Sequence, residues 1–506
     1  MKISITKLLL LYAAACPLPV RAQVAEKTLA YYVEHAPFPM QVPALPAIPN
    51  RDFSLQDYGA MGDGHTLNTG AFEKAIAACS AAGGGRLIVP AGAWLTGPIA
   101  MMSNVDLHLE RGAMILFTKD HQQYHTENGA GRQSTVSPIS GRDLENIAIT
   151  GEGIVDGGGE SWRPVKKEKM TAAQWRELLA SGGVLNKEEN IWWPSQEAME
   201  GKESRPVLVR FNHCKRILVQ GVTLRNSPMY VFGPNRCQDL TMDHVTIFNE
   251  WWAQNGDGID IGASRNVVIY RCTVSAGDDG ICMKSSGPSP DGEAALQNVI
   301  VAGCNVYHGH GGFVIGSNTD GGMHRIFVKD CNFIGTDIGL RFKSNMGRGG
   351  LVDSIFIQDI YMRDIAHEAV LFDTYYENMP AGYVPVRKTG PPGNLTRFPD
   401  RSDVGPSDGE PGVRRDPNKP APTDKTPEFR DFHMSRIYCN GAGTAISITG
   451  LPQMPVGRIW FDTMLISSRK GLVASQAKDI YLHGVKLITK EGEAFQPDST
   501  AHITIR

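Results

Sequence analysis

Long apolar runs are missing from this 506-residue sequence everywhere except its first residues. No later stretch has the roughly 20 consecutive apolar residues that a membrane-spanning helix needs, which excludes a multi-spanning protein. Charge of one sign is missing too. The 50 basic and 53 acidic residues leave a formal net charge of −3, so there is no overall attraction to nucleic acid or acidic lipid. An anionic ligand must then be held by a local cluster. Helical periodicity is scarce, and neither the leucine spacing of leucine-rich repeats nor the roughly 40-residue unit of a propeller occurs. Cysteine is sparse, at nine residues. With 42% hydrophobic residues the chain has material for a large core, which excludes extensive disorder and a disulfide-held miniature fold.

The sequence opens with Lys2 and Lys7, an apolar run from Leu8 to Ala15, and Val20-Arg21-Ala22. This is the pattern of a signal peptide over residues 1–22. A mature chain starting at Gln23 would work outside the cytoplasm, in the periplasm or secreted. Lipidation at Cys16 is the alternative, although the large aliphatic residue usual three positions earlier is absent. Residues 23–50, rich in proline and alanine, are expected to form a leader along the surface.

A repeat dominates the second half. RILVQGVTL from Arg216, DLTMDHVTI from Asp239, NVVIYRCTV from Asn266, NVIVAGCNV from Asn298, RIFVKDCNF from Arg325 and SIFIQDIYM from Ser354 share one pattern, as do segments from Asp431, Arg458 and Asp479. Apolar residues alternate in each, which is the strand period. One strand set every 21 to 32 residues, with one longer interval, suits coils laid about 4.8 Å apart. The expected fold is all-β: a single right-handed parallel β-helix. Cys272, Cys304 and Cys331 occupy the seventh place of three successive units, where other units have Val222, Val245, Ile360 and Val485. That column is apolar, so the cysteines read as a core ladder instead of disulfides. Residues 71–81 have helical spacing and would cap the open end. The solenoid domain is expected over 51–506, with insertions at about 158–203 and 379–427, the latter holding eleven prolines.

Each unit carries a second strand: DGIDI, DGICMKS, GGFVIGS, GLRFKSN and AVLFDTY. Aligned on Gly258, Gly280, Gly312, Gly339 and Ala369, they bring Asp257, Asp278, Asp279 and His310 to one turn. Arg341 and Lys343 then fall on the same face two and four residues beyond the glycine, with Lys284 in the Lys343 column. An isolated Asp-Gly is most simply a turn, but stacked like charges one strand spacing apart cost stability. Their convergence with an imidazole and two cations points to chemistry. Paired carboxylates serve glycoside hydrolysis, and mutual repulsion would hold a proton on one of them. A guanidinium beside an ammonium suits an anionic sugar.

These residues resemble family 28 of the glycoside hydrolases, the polygalacturonases. The resemblance rests on NGDGID at 255–260, GDDG at 277–280, GHGG at 309–312 and RFK at 341–343, with DYGAMGDGHTLNTGAFEKAI and GGGRLIVPAG before them. It implies Asp278 as general acid, Asp257 and Asp279 on the attacking water, and His310 tuning the acid. Asn255, Lys284, Arg341, Lys343 and Tyr376 would contact substrate, a pectic polysaccharide or oligogalacturonide. The family inverts the anomeric centre, with acid and base carboxyls expected roughly 6.5 to 9.5 Å apart. No metal or organic cofactor, no nucleic acid and no membrane span is implied, and the chain is expected to be a monomer. Gly256 stands where threonine is common, and Phe342 where isoleucine is usual. The 158–203 insertion, with Trp192 and Trp193, suggests a walled groove end and exo action. Rhamnogalacturonan or xylogalacturonan hydrolysis, or a calcium-dependent pectate lyase, are the alternatives on the same fold.

Overall fold

The computed structural model describes residues 27–126, 134–376 and 426–506, and in it the repeated segments are rungs of one parallel sheet. Ile217 pairs with Leu240, Leu240 with Val267, Val267 with Val299, Val299 with Ile326 and Ile326 with Ile355. The column continues through Phe432, Ile459 and Ile480. All of these side chains are fully buried, because alternate positions of a strand face the same side. The chain winds as a right-handed parallel β-helix, the hand that parallel crossover connections favour.

The first residue of every repeated segment is in the left-handed region. Arg216, Asp239, Asn266, Asn298, Arg325, Ser354, Asp431, Arg458 and Asp479 all have φ between 53° and 58°. The strand register skips this residue, with Gln238 opposite Arg265 and then Leu240 opposite Val267. The chain therefore turns a corner there once per coil. Asn and Asp tolerate this conformation better than other side-chain-bearing residues, and they ladder: the Asn266 amide donates to the Asp239 carboxylate. The Asp and Asn turn ladder thus exists, but at a corner away from Asp257.

Cys272, Cys304 and Cys331 are buried with free thiols inside the main core, and Cys331 lies opposite Ile360. The helix Thr69–Ala81 inserts Phe72, Ala75, Ile76 and Cys79 into the same core and so plugs the first coil. Among the described residues 27–50 stands the helix Leu29–Glu34, which the composition did not reveal. Tyr32, Val33 and Phe38 pack on Val268, Tyr270, Ile300, Ala302 and Phe327, and Asp330 accepts from Lys27 at 2.6 Å and from the Tyr32 hydroxyl at 2.9 Å. The signal peptide, Cys16 and nearly all of the 379–427 insertion lie outside the described residues.

The 158–203 insertion is folded. Strands Val165–Lys166, Ile191–Trp193 and Val184–Asn186 pair antiparallel beside the helix Ala172–Ala180. Trp192 is buried against Val165 and Trp175 and donates to the Gly182 carbonyl at 2.7 Å. That indole holds the insertion together instead of lining a groove. Among the described residues, no helix is long and apolar enough to cross a membrane.

The corner column supplies a stability test. Ser354, at φ 55°, would strain if β-branched: Ser354→Val should cost about 1–2 kcal/mol, whereas Ser354→Gly should stay within a few tenths. Urea unfolding midpoints of the two variants check this.

Candidate active site

Strands Ile259–Gly262, Asp279–Lys284, Gly311–Ile315, Leu340–Lys343 and Glu368–Asp373 run parallel in successive coils. Ile259 pairs with Ile281, Ile281 with Phe313, Phe313 with Leu340 and Leu340 with Val370. This is the register expected from stacking Gly258, Gly280, Gly312, Gly339 and Ala369. Small residues are required there, since a Cβ on Gly258 would lie 2.6 Å from the Gly280 carbonyl oxygen. Gly256 is likewise confined: its Cβ would come within 2.8 Å of Ala253. Phe342 points into the core against Phe372 and Phe432, so replacing isoleucine there changes packing and leaves the outward-facing Arg341 and Lys343 in place.

The register gathers the charged side chains. Asp257, Asp278 and Asp279 are buried, and each has an oxygen within 4.8 Å of the other two. This is closer than the 6.5 to 9.5 Å expected between an inverting acid and base, and it corrects that expectation. Asp278 and Asp279 are chain neighbours and Asp257 sits one rung below, so the strand spacing of about 4.8 Å sets the separation. Arg341 Nη1 lies 3.0 Å from Asp279 Oδ1 and Lys343 Nζ 2.8 Å from Asp279 Oδ2. Tyr376 covers both cations, its ring 4.9 Å from Lys343 Nζ and 5.7 Å from the Arg341 guanidinium. His310 Nδ1 is 3.1 Å from Asp278 Oδ1, and its Nε2 faces Asp337 at 3.8 Å.

Lys284 differs from its expected place among substrate contacts. Its ammonium sits 2.9 Å from Asp257 and also pairs with Asp260, above the ring of Tyr230 at 4.2 Å. It neutralises the cluster from below. Asn255 is beside the carboxylates, with its side-chain oxygen taken by Arg205 at 2.7 Å.

These surroundings separate the carboxyls. Burial, reinforced by Asp260, raises Asp257 well above the usual carboxylate range despite Lys284. Burial also raises Asp260. For Asp278, burial opposes ionisation but is outweighed by His310, Lys343 and Arg341, which hold it well below that range. Asp279 is likewise lowered, burial being overcome by Lys343 and Arg341. The carboxyl driven toward its neutral form is thus Asp257, by burial first and by Asp260 second, and not Asp278.

Asp260, Asp337, Tyr230 and Arg205 were missed by the reading of the sequence. Asp260 and Asp337 lie in the columns of Arg341 and His310, so the same alignment could have found them. Tyr230 lies one rung below Asp257, as the Phe232–Ile259 bridge requires. Arg205 reaches across 50 residues of chain to Asn255, and nothing local in the sequence signals that.

The family model for glycosyl hydrolases family 28 matches residues 166–389, a span that contains all four blocks. Over that span the chain is similar to glycosyl hydrolases family 28. It is 29% identical over 326 residues to a probable polygalacturonase of Vitis vinifera, covering 61% of this chain and 60% of that protein. It is 28% identical over 365 residues to the exo-poly-alpha-D-galacturonosidase of Dickeya chrysanthemi, covering 66% of this chain and 59% of that protein. The chain thus spans about three fifths of the length of these curated relatives. Among solved structures, a hyperthermoactive exopolygalacturonase from Thermotoga maritima superposes with a TM-score of 0.64 at 26% identity, covering 86% of this chain and 94% of that one. A family 28 exopolygalacturonase of Yersinia enterocolitica shares the fold, with a TM-score of 0.66 at 21% identity over 90% of this chain and 78% of that one.

Lys284 offers a test independent of turnover. Asp257 and Asp260 both have raised values in the fold, so each weighs against stability as pH rises through its folded value. Lys284 opposes that rise. Lys284→Met should therefore cost about 3–5 kcal/mol at pH 8, a deficit that shrinks toward pH 5 as both carboxyls take protons. Unfolding measured at several pH values checks the trend.

Proposed function

We propose that the protein is a polygalacturonase that hydrolyses α-1,4-galacturonic acid linkages of pectin, acting as a monomer from chain ends and, on the likeness to family 28 and not on the carboxyl spacing, with inversion. The observation that carries this reading is the shared cluster: three buried carboxylates of unequal proton affinity beside Arg341 and Lys343, a pair matched to a sugar carboxylate. Asp278 donates a proton to the leaving oxygen. Asp257 and Asp279 hold and deprotonate the attacking water, and His310 tunes the donor. Arg341, Lys343 and Tyr376 receive the galacturonate beyond the cleaved bond. Asn255 and Lys284 support the near side, the latter chiefly by anchoring Asp257.

The lowered proton affinity of Asp278 fits this assignment once substrate is included. Arg341 and Lys343 are among the groups that lower Asp278, and a galacturonate carboxylate on them cancels part of their field. Substrate then raises the proton affinity of its own donor. The insertion supports exo action, because it docks beside the carboxylates: Arg163 Nη2 donates to Glu250 at 2.8 Å, and its core packs on Trp252. Residues 1–22 direct export under this reading, which brings the enzyme to pectin in the periplasm or outside the cell.

A second assignment is favoured by one observation, the raised proton affinity of Asp257, which would make Asp257 the donor. An aryl galacturonide with a good leaving group needs no acid, so the variant lacking the donor should keep its rate on it. We expect Asp278→Ala to be rescued there and Asp257→Ala not; the reverse outcome exchanges the roles.

On polygalacturonate, Asp278→Asn should lower turnover by about 10²–10⁴-fold. Product sizing with polygalacturonate, rhamnogalacturonan and short oligogalacturonides should show one small saturated product from the first time point. A ladder of sizes refutes exo action, and new near-ultraviolet absorbance would identify a lyase. The anomer first formed, read by NMR, decides inversion.

A further inference from the structure

Two guanidinium groups lie on the side of the carboxylate cluster opposite Arg341 and Lys343. Arg210 is on the strand Val209–Asn212, two rungs below Ile259–Gly262. The intervening Phe232 pairs with both Val209 and Ile259, so Arg210, Gly233 and Asp260 form one outward-facing column that continues to Arg341. Gly233 leaves the floor between Arg210 and Asp260 bare. A Cβ there would stand 3.2 Å from Arg210 Nη1, and Arg210 lies across it, donating to the Gly233 carbonyl at 3.0 Å. Arg205, from the segment entering that strand, donates to the carbonyls of Gln254 at 2.6 Å and Pro228 at 3.4 Å besides Asn255.

Neither arginine has a carboxylate partner among the described residues, whereas Arg341 and Lys343 are both committed to Asp279 and Lys284 to Asp257 and Asp260. Both are half-buried. Burial lowers Arg210, and burial with the nearby Arg163 brings Arg205 down to about 10. A guanidinium withdrawn from water without a counter-charge is unfavourable, and a bidentate anion relieves it. The carboxylates whose charge reaches them, Asp257, Asp260 and Asp278, are engaged with Lys284 and His310, so the anion must come from outside.

We propose that Arg205 and Arg210 form a second carboxylate-binding subsite, which holds a uronic acid unit on the far side of the cleaved bond from the one at Arg341 and Lys343. This rests on the galacturonan reading above and deepens it: the substrate is gripped by free carboxylates on both sides of the cluster, and a methyl ester on the near side is rejected for want of charge. Arg210, which has only one carbonyl contact, is the specificity-determining member, and Arg205 also fixes Asn255.

The test compares Arg210→Gln and Arg210→Lys with the wild type on an oligogalacturonide and its methyl ester. Arg210→Gln should lower kcat/KM for the free acid tenfold or more, the loss of one charge-assisted contact, through KM and with kcat little changed. The methyl ester should change little, so discrimination between the two collapses, and Arg210→Lys should recover part of it. An equal loss on both substrates would mean a purely structural role, and that result or unchanged kinetics overturns the subsite. Should the wild type cleave no pectic substrate, the galacturonan reading fails separately. Calorimetric titration with digalacturonate then still decides the subsite: binding weakened in Arg210→Gln supports it, and absent or undiminished binding overturns it.

Discussion

Every coil must hydrogen-bond to the next at about 4.8 Å, and the chemistry of the molecule is confined by that distance. Side chains in one column cannot move apart, so Asp257 over Asp279 is an enforced repulsion. The fold tolerates it because the same face carries Lys284, Arg341 and Lys343 two and four residues further along their strands. Four buried carboxylates are thereby interleaved with three cations and an imidazole. The strand alternation that buries Ile259, Ile281, Phe313 and Leu340 also aims the charges outward, so core and site are two sides of one register.

Because the positions are fixed, the protonation states are free to differ. Asp257 is pressed by burial and Asp260 toward its neutral form, while Asp279 is surrounded by cations and stays ionised. Asp278 is held low as well, by His310 first and then by Lys343 and Arg341.

Much of this was legible in the sequence, for a physical reason. In a parallel solenoid, vertical neighbours are homologous positions, so aligning short segments on a small residue recovers contacts between residues such as Asp279 and Lys343 that are far apart in the chain. The glycine column, the cysteine ladder and the helical cap followed from periodicity alone. Apart from Asp260, Asp337 and Tyr230, which share the columns of the repeat, what stayed hidden came from segments outside it. Trp192 turned out to be core to its own insertion, Arg205 crosses from a loop, and the leader helix is held by partners in later coils. The carboxyl spacing was misjudged because it came from a reaction class, when the strand spacing of this fold was already known.

The leader has a consequence for how the chain is made. A solenoid ordinarily assembles coil upon coil, each needing only its neighbour. Here Lys27 and Tyr32 need Asp330, and the leader's apolar side needs Val268 and Phe327, about 300 residues later in synthesis. The leader therefore finds its seat only once those middle coils are stacked, and it closes as a latch over them. Until then that strip of the middle coils stays open, and the seated leader fastens several rungs into one cooperative block.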